Sequence, residues 1–306
     1  VRVYDSSHIT SLDAFYQQAA TDGVDLVVGP WEKNLVGQLA SRSQLPITTL
    51  ALNYADTEHN TPKQLFQYGL AAEDEARVAA ERAWADGMRR AAALVPKSAW
   101  GERILAAFTQ HWKTLGGELI ATQHFDRPAA LPGQIAQLFE LRESEQRAKQ
   151  LENALDTKVA AQPARRQDID FLFLAASPQQ ARQIKPALTF QYADDVPVYA
   201  TSAVNSGNGD IHPELTGLQF SEMPTRQHIT YNWPQASGSM GRFYAMGADA
   251  YQLAHQLQQL TAISNSSAVG LTGTLKLNSE QRIERSLYWA TFSNKSIKQL
   301  KEGQRD

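Results

Sequence analysis

The sequence predicts an α/β fold made of two doubly wound lobes, on three observations. Apolar runs of about five residues alternate with amphipathic stretches of about 10–15 residues, the rhythm of strands joined by crossover helices. The strand-like runs are continuous rather than alternating, as expected of strands covered on both faces. The rhythm lapses after residue 130 and resumes near residue 169, with a returning strand near 217, so the chain is expected to visit two lobes in turn across a hinge.

Taken in order, Val1–Asp5 reads as a strand and residues 10–22 as a helix closed by Asp22-Gly23. Gly23-Val24-Asp25-Leu26-Val27-Val28-Gly29-Pro30-Trp31 is a buried strand ending in a tight turn, followed by a helix over 31–42 that turns Leu35, Val36 and Leu39 inward. A strand over 46–52 ends at Asn53. After a polar loop come a short strand at 66–68 and a helix over 72–86 with one narrow face of small apolar residues, stopped by Gly87. A strand over 91–95 leads to a helix over 99–115 that buries Ile104, Leu105, Phe108, Trp112 and Leu115; Gly116-Gly117 ends it before a strand over 118–125.

Residues 131–167 are expected to form a charged helical insertion, one long or broken helix with Leu131, Ile135, Leu138, Ala148, Leu151 and Leu155 on one side. Its polar face either meets water or docks a partner. A strand over 169–174 then precedes Ser177-Pro178, an N-cap followed by proline at the first helical position. Pro186 should kink that helix, because it cannot donate to residue 182 and its ring crowds that carbonyl. Strands at 196–199 and 217–220, a helix over 238–260 and a short antiparallel C-terminal meander (272–277, 283–285, 288–292) complete the chain. The expected lobes are 1–88 plus 217–264, and 89–216 plus 265–306.

The chain has 306 residues, 42% hydrophobic and 20% charged, with a formal net charge of −3. That is globular composition with no basic field, so neither nucleic acid nor an anionic membrane is an expected partner. Cysteine is absent, which removes disulfides, thiolate metal sites and cysteine nucleophiles together. No apolar stretch approaches the roughly 20 residues of a membrane span. The chain opens on a strand without signal peptide or initiator methionine, as expected of a processed or subcloned fragment.

Motifs of catalysis are missing. There is no Walker A loop, no strand leading into GxGxxG, no GxSxG elbow and no Ser-x-x-Lys. The histidines at 8, 59, 111, 124, 212, 228 and 255 lack zinc spacing, and no cofactor is expected. Glu73-Asp74-Glu75 sits at a helix start, where carboxylates complement the helix dipole. Strand-end loops remain: Gly29, Pro30, Trp31, Asn53, Ser98, Trp100, Ser177, Thr201, Ser202 and Glu222 are expected to converge on an interlobe cleft. Each could equally cover a helix N-terminus and stiffen its turn.

Several phrases together, among them Val27-Val28-Gly29-Pro30, Tyr68-Gly69-Leu70-Ala71-Ala72-Glu73-Asp74-Glu75, Pro96-Lys97-Ser98-Ala99-Trp100-Gly101, Gly217-Leu218-Gln219-Phe220-Ser221-Glu222 and Arg242-Phe243-Tyr244-Ala245-Met246-Gly247-Ala248-Asp249, resemble the C-terminal domain of the LpoA (LppC) family. Members of that family are outer-membrane lipoprotein activators of a class A penicillin-binding protein. The resemblance covers nearly the whole chain and implies a type I periplasmic binding-protein fold used as an activator of a synthase of the penicillin-binding protein 1A type. It also implies that the first strand and helix of lobe one, a helical N-terminal domain and a lipid anchor on the periplasmic side of the outer membrane lie upstream of Val1. The alternative function is a periplasmic receptor for a small ligand in the cleft, an amino acid or cell-wall fragment; an α/β enzyme with an unrecognised site has least support.

Overall fold

The structure is a computed structural model that describes residues 1–5, 9, 11–56, 61–155, 164–207, 212–224, 238–294 and 296–300, with backbone alone at helix residues 145, 148, 151, 152, 155, 238 and 239. It comprises two compact units, Val1–Ala71 with Pro224–Ser286, and Ala72–Met223 with Leu287–Asp306.

The first unit contains α1 (Leu12–Thr21), β1 (Leu26–Val28), α2 (Lys33–Ala40), β2 (Thr48–Ala51) and β3 (Leu65–Tyr68). The second holds α3 (Ala72–Ala85), β4 (Arg90–Pro96), α4 (Ala99–Leu115), β5 (Glu118–Phe125), α5 (Leu131–Leu138), α6 (Leu141–Leu155), β6 (Phe171–Leu174), α7 (Pro178–Phe190), β7 (Val198–Ala200) and β8 (Gln219–Glu222). The chain then returns to the first unit for α8 (Gly238–Ala262), β9 (Ser267–Val269), β10 (Thr274–Leu277) and β11 (Arg282–Ser286), and ends in the second with β12 (Tyr288–Phe292) and β13 (Ile297–Leu300).

The sheet of the first unit runs β1-β2-β3-β11-β10-β9, with β1, β2, β3 and β11 parallel and β10 antiparallel to both its neighbours. Alternation along its strands feeds two cores. Val27, Ala51 and Leu65 pack with Leu12, Tyr16, Ala19, Val36 and Leu39 of α1 and α2. Leu50, Phe66 and Tyr68 face the other way, against Met246, Ala250, Leu253, Leu257 and Leu260 of α8. In the second unit the order is β13-β12-β8-β7-β6-β4-β5, parallel from β8 to β5 and closed by the antiparallel β12 and β13. The alanine stripe of α3 packs with Phe108 and Trp112 of α4 over Phe171 and Phe173; the Phe173 ring stacks on Phe108, and the Phe171 ring meets Trp112 edge-on. Leu131 and Ile135 of α5 and Ile184 and Leu188 of α7 cover the opposite face.

This division departs from the expected boundaries in three places. Helix 72–85 belongs to the second unit, because its alanines fit the aromatic surface of α4. The strand near 217 also belongs there, since β8 pairs with β7 and β12. Residues 265–286 belong to the first unit, where β11 pairs in parallel with β3. The antiparallel tail is accordingly split between two sheets. Val1–Asp5 forms no strand, with Val1 and Val3 fully exposed. Pro186 lies inside α7 without ending it. The region 131–167 starts as core rather than insertion, for Leu131, Ile135, Leu138, Phe139 and Leu141 are all buried. The side chains of Ala148, Leu151 and Leu155, and residues 156–163, lie outside the described residues.

Candidate functional site

The strand ends of each unit carry the expected residues, and each unit treats them differently. In the first, Gly29 adopts φ 119°, a left-handed conformation that a side chain would oppose, and its N–H donates to Leu50 O at 2.8 Å. The Gly29-Pro30 bond is cis. Leu52 N donates to Pro30 O at 2.9 Å, and Asn53 Nδ2 donates to Trp31 O at 2.9 Å. Gly29, Pro30, Trp31 and Asn53 are therefore held together, the turn after β1 being stitched to the end of β2. The stitching leaves the indole outward: Trp31 is 56% exposed and meets the ring of Phe243 edge-on at 5.7 Å.

The second unit turns its strand-end polar groups inward. Ser98 Oγ accepts from Gly101 N at 3.1 Å and caps α4, while Trp100 packs half-buried on the adjoining core. Ser177 and Gln180 form a complete capping box at the start of α7, with Gln180 N donating to Ser177 Oγ and Ser177 N to Gln180 Oε1. Beyond β7, Ser202 donates to Glu75 through its N–H at 2.6 Å and its hydroxyl at 2.9 Å, and Ser221 Oγ donates to Glu75 at 3.2 Å. Glu222, buried at the end of β8, accepts from Asn205 Nδ2 at 2.6 Å and Met223 N at 3.0 Å. Thr201 is buried, and its hydroxyl has no hydrogen-bond partner among the described residues.

The sequence reading took Glu75 only as one of three helix-start acids, and Asn205 escaped it. A helix-start acid explains Glu73 by dipole alone, but Glu75 falls three residues after Ala72 and four before Ala79, on the apolar stripe of α3. A carboxylate at that spacing must bring buried donors with it. Ser202 and Ser221 are those donors. Chemically, the cluster is an acceptor already supplied with donors inside its own unit. Among the described residues no three His, Asp or Glu side chains gather in a way that could hold a metal ion, and no helix is long and apolar enough to cross a membrane.

Comparison with known proteins gives the arrangement a family. The LppC lipoprotein family model matches residues 1–295. The chain belongs to the LppC family. A relative from Edwardsiella piscicida, named penicillin-binding protein activator LpoA, is 34% identical over 97% of this LppC chain and 46% of its own length. The chain spans about half the length of the curated relatives it matches. The solved LpoA (YraM) C-domain from Haemophilus influenzae, described as a regulator of PBP1A, superposes with TM-score 0.78 and 26% identity, covering 98% of this chain and 89% of that one. A Chromobacterium violaceum structure described as a branched-chain amino acid ABC transporter follows with TM-score 0.65 and 29% identity, covering 91% and 83%. This LppC chain is thus a two-sheet α/β protein of the periplasmic binding-protein kind.

Proposed function

We propose that this LppC domain is a non-catalytic module that binds the periplasmic part of a class A penicillin-binding protein, of the penicillin-binding protein 1A type, and favours its active conformation in peptidoglycan synthesis. The observation that carries this is the alignment of its sequence, nearly end to end, with relatives named as activators of such synthases. The inward commitment of Ser98, Ser177, Ser202 and Glu222 supports it, because those side chains spend their hydrogen bonds on helix ends and on Glu75 or Asn205 rather than on a solute. Activation is then a population shift driven by differential affinity for two states of the synthase. The domain acts on the periplasmic side of the outer membrane, in keeping with a lipoprotein family. Binding of the domain to the synthase ectodomain, and transpeptidase rate with and without it, test the proposal. Micromolar binding with a raised rate is expected; no binding at that concentration overturns it.

A second reading, a receptor for an amino acid or cell-wall fragment, draws on the likeness to the transporter-associated structure and on the outward Trp31. A ligand at a hundredfold its dissociation constant would stabilise the domain by about 2.7 kcal/mol, which a thermal-shift screen detects. A flat screen counts against it.

A further inference from the structure

Three consecutive acids open α3, and the second unit holds the third unlike the other two. Glu73 meets the Arg103 guanidinium at 2.9 Å, and Asp74 meets that of Arg77. Glu75 lies buried on the alanine stripe and is held by uncharged donors. One carboxylate oxygen accepts from Ser202 N at 2.6 Å and Ser221 Oγ at 3.2 Å; the other accepts from Ser202 Oγ at 2.9 Å. These donors stand 127 and 146 residues further along the chain.

The donors sit at the carboxyl ends of β7 and β8, the end at which open α/β sheets take ligands. Ser202 and Ser221 are both fully buried. Thr201 brings a further hydroxyl to the same side. Tyr199 packs in the core shared with α3 and Ala200 in the opposite one, so alternation returns Thr201 to the α3 face. Its hydroxyl is buried and has no hydrogen-bond partner among the described residues. The place is therefore richer in donors than one glutamate requires.

We propose that the N–H and hydroxyl of Ser202 and the hydroxyl of Ser221 form a receptor for a small monocarboxylate, and that Glu75 is its built-in ligand. The chemistry of the donors selects this class. Hydrogen bonds to an ionised acceptor are about twice as strong as neutral ones, and both carboxylate oxygens are engaged. Because the donors are uncharged, withdrawing the carboxylate strands buried N–H and O–H groups but no cation, and the emptied place still favours an anion. Its walls are small: Ala72, Ala76 and Ala79 neighbour Glu75 on the helix, so a shortened side chain leaves room that no bulky neighbour fills. Glu75→Ala removes one CH2 and the carboxylate, which is the size of acetate. In the parent chain these donors are already taken, so a free amino acid that stabilises it binds elsewhere. Glu75 thereby ties the start of α3 to the ends of β7 and β8 as a bound solute would.

The test is rescue of Glu75→Ala by free carboxylates near neutral pH. Sodium acetate at about 0.1 M should raise its melting temperature by about 3 °C or more over sodium chloride of equal ionic strength. The parent chain should differ between the two salts by no more than about 1 °C. Acetamide, which has the shape of acetate without its charge, should not rescue, and butyrate should rescue less than acetate because its chain outgrows the space. Adding Ser202→Ala or Ser221→Ala should remove most of the acetate effect. Acetate that does no more for Glu75→Ala than for the parent overturns the proposal, as does rescue by acetamide to the same extent or rescue undiminished by the serine substitutions. If any of these variants does not fold in chloride, its recovery from urea in acetate, acetamide and chloride decides by the same comparisons, and no gain of Glu75→Ala in acetate overturns it. Stimulation of the synthase by the parent chain is measured separately, so failure here leaves the activator reading untouched.

Discussion

Asp249 Oδ2 accepts from both the backbone N–H and the hydroxyl of Thr272, at 2.8 and 2.7 Å, joining the middle of α8 to the turn between β9 and β10. Oδ1 takes Leu271 N at 2.6 Å, and the Tyr68 hydroxyl lies 2.8 Å from Thr272 Oγ1 and 3.2 Å from Asp249 Oδ2. Burial, reinforced by the Asp249 charge, raises the Tyr68 phenol well above its ordinary range, so it stays protonated and serves as a donor. Three segments far apart in sequence, β3, α8 and the β9–β10 turn, are thus joined at one carboxylate.

Removing that carboxylate strands several buried donors at once. Asp249→Ala is expected to cost the first unit about 3 kcal/mol, since each unsatisfied buried group costs about 1–3 kcal/mol. Asp249→Asn should also destabilise, because its amide nitrogen turns donors toward donors. Gly270→Ala attacks the same place sterically, as a Cβ there would lie 2.6 Å from Asp249 Oδ2. Urea unfolding of the three variants checks this; a midpoint unchanged in Asp249→Ala would show that the bonds carry no net stability.

Gly101 supplies a case where helix propensity and packing disagree in sign. It sits in the first turn of α4, and glycine within a helix ordinarily costs about 1 kcal/mol relative to alanine. A Cβ at Gly101 would drive into the backbone carbonyl of Pro96, which cannot yield as a flexible side chain can. Gly101→Ala is therefore expected to destabilise the second unit by about 1–3 kcal/mol, as overpacking does. Thermal unfolding decides, and a stabilised variant would show that the end of β4 moves aside.

The caps separate stability from function. Ser98→Ala and Ser177→Ala should each cost about 1 kcal/mol, the usual worth of an N-cap side chain, while synthase stimulation by the still-folded domain stays within twofold or so of the parent. A large loss of stimulation with little loss of stability would move these serines from the helix ends to a recognition surface.

Most elements were legible because the signals that specify them are local. The run Leu26–Val28 with Gly29-Pro30 behind it reads as strand and turn, and Ser177-Pro178 as a helix start, in one pass along the chain. Unit membership was not local. Whether β8 joins one sheet or the other depends on β7 and β12 offering it an edge, and β11 pairs with β10 and β3 rather than with β12, the strand that follows it in the expected meander. Glu75 was half legible: its place on the alanine stripe of α3 announces a buried carboxylate, but nothing near it in sequence names Ser202 and Ser221 as the donors. Ser98 and Ser177 carried two readings that sequence weighs alike, and only the positions of Gly101 N and Gln180 N favour the cap.

Acid should weaken the second unit in a defined window. The Arg166 guanidinium bonded to Asp168 holds that carboxyl below its ordinary value. The Thr189 hydroxyl, then Lys185, does the same for Asp194, and a backbone N–H with Arg182 for Glu214. Burial pushes Asp170 up, but Arg90 and the N–H groups of Arg89 and Arg90 outweigh it, so it too is lowered. A carboxyl whose pKa is depressed on folding adds stability that is fully present above its unfolded value, about 4. That contribution disappears as pH falls below 4, roughly, through the lower folded values. From pH 5 to 7, approximately, these groups leave stability flat. Urea midpoints of the second unit at pH 3, 4, 5 and 7 should therefore fall only at the acid end. Because these pairs are partly exposed, added salt should shrink the fall. Asp168→Asn should lower the midpoint near neutrality and flatten the acid slope; an acid slope unchanged in that variant would show that Asp168 and Arg166 do not contribute to it.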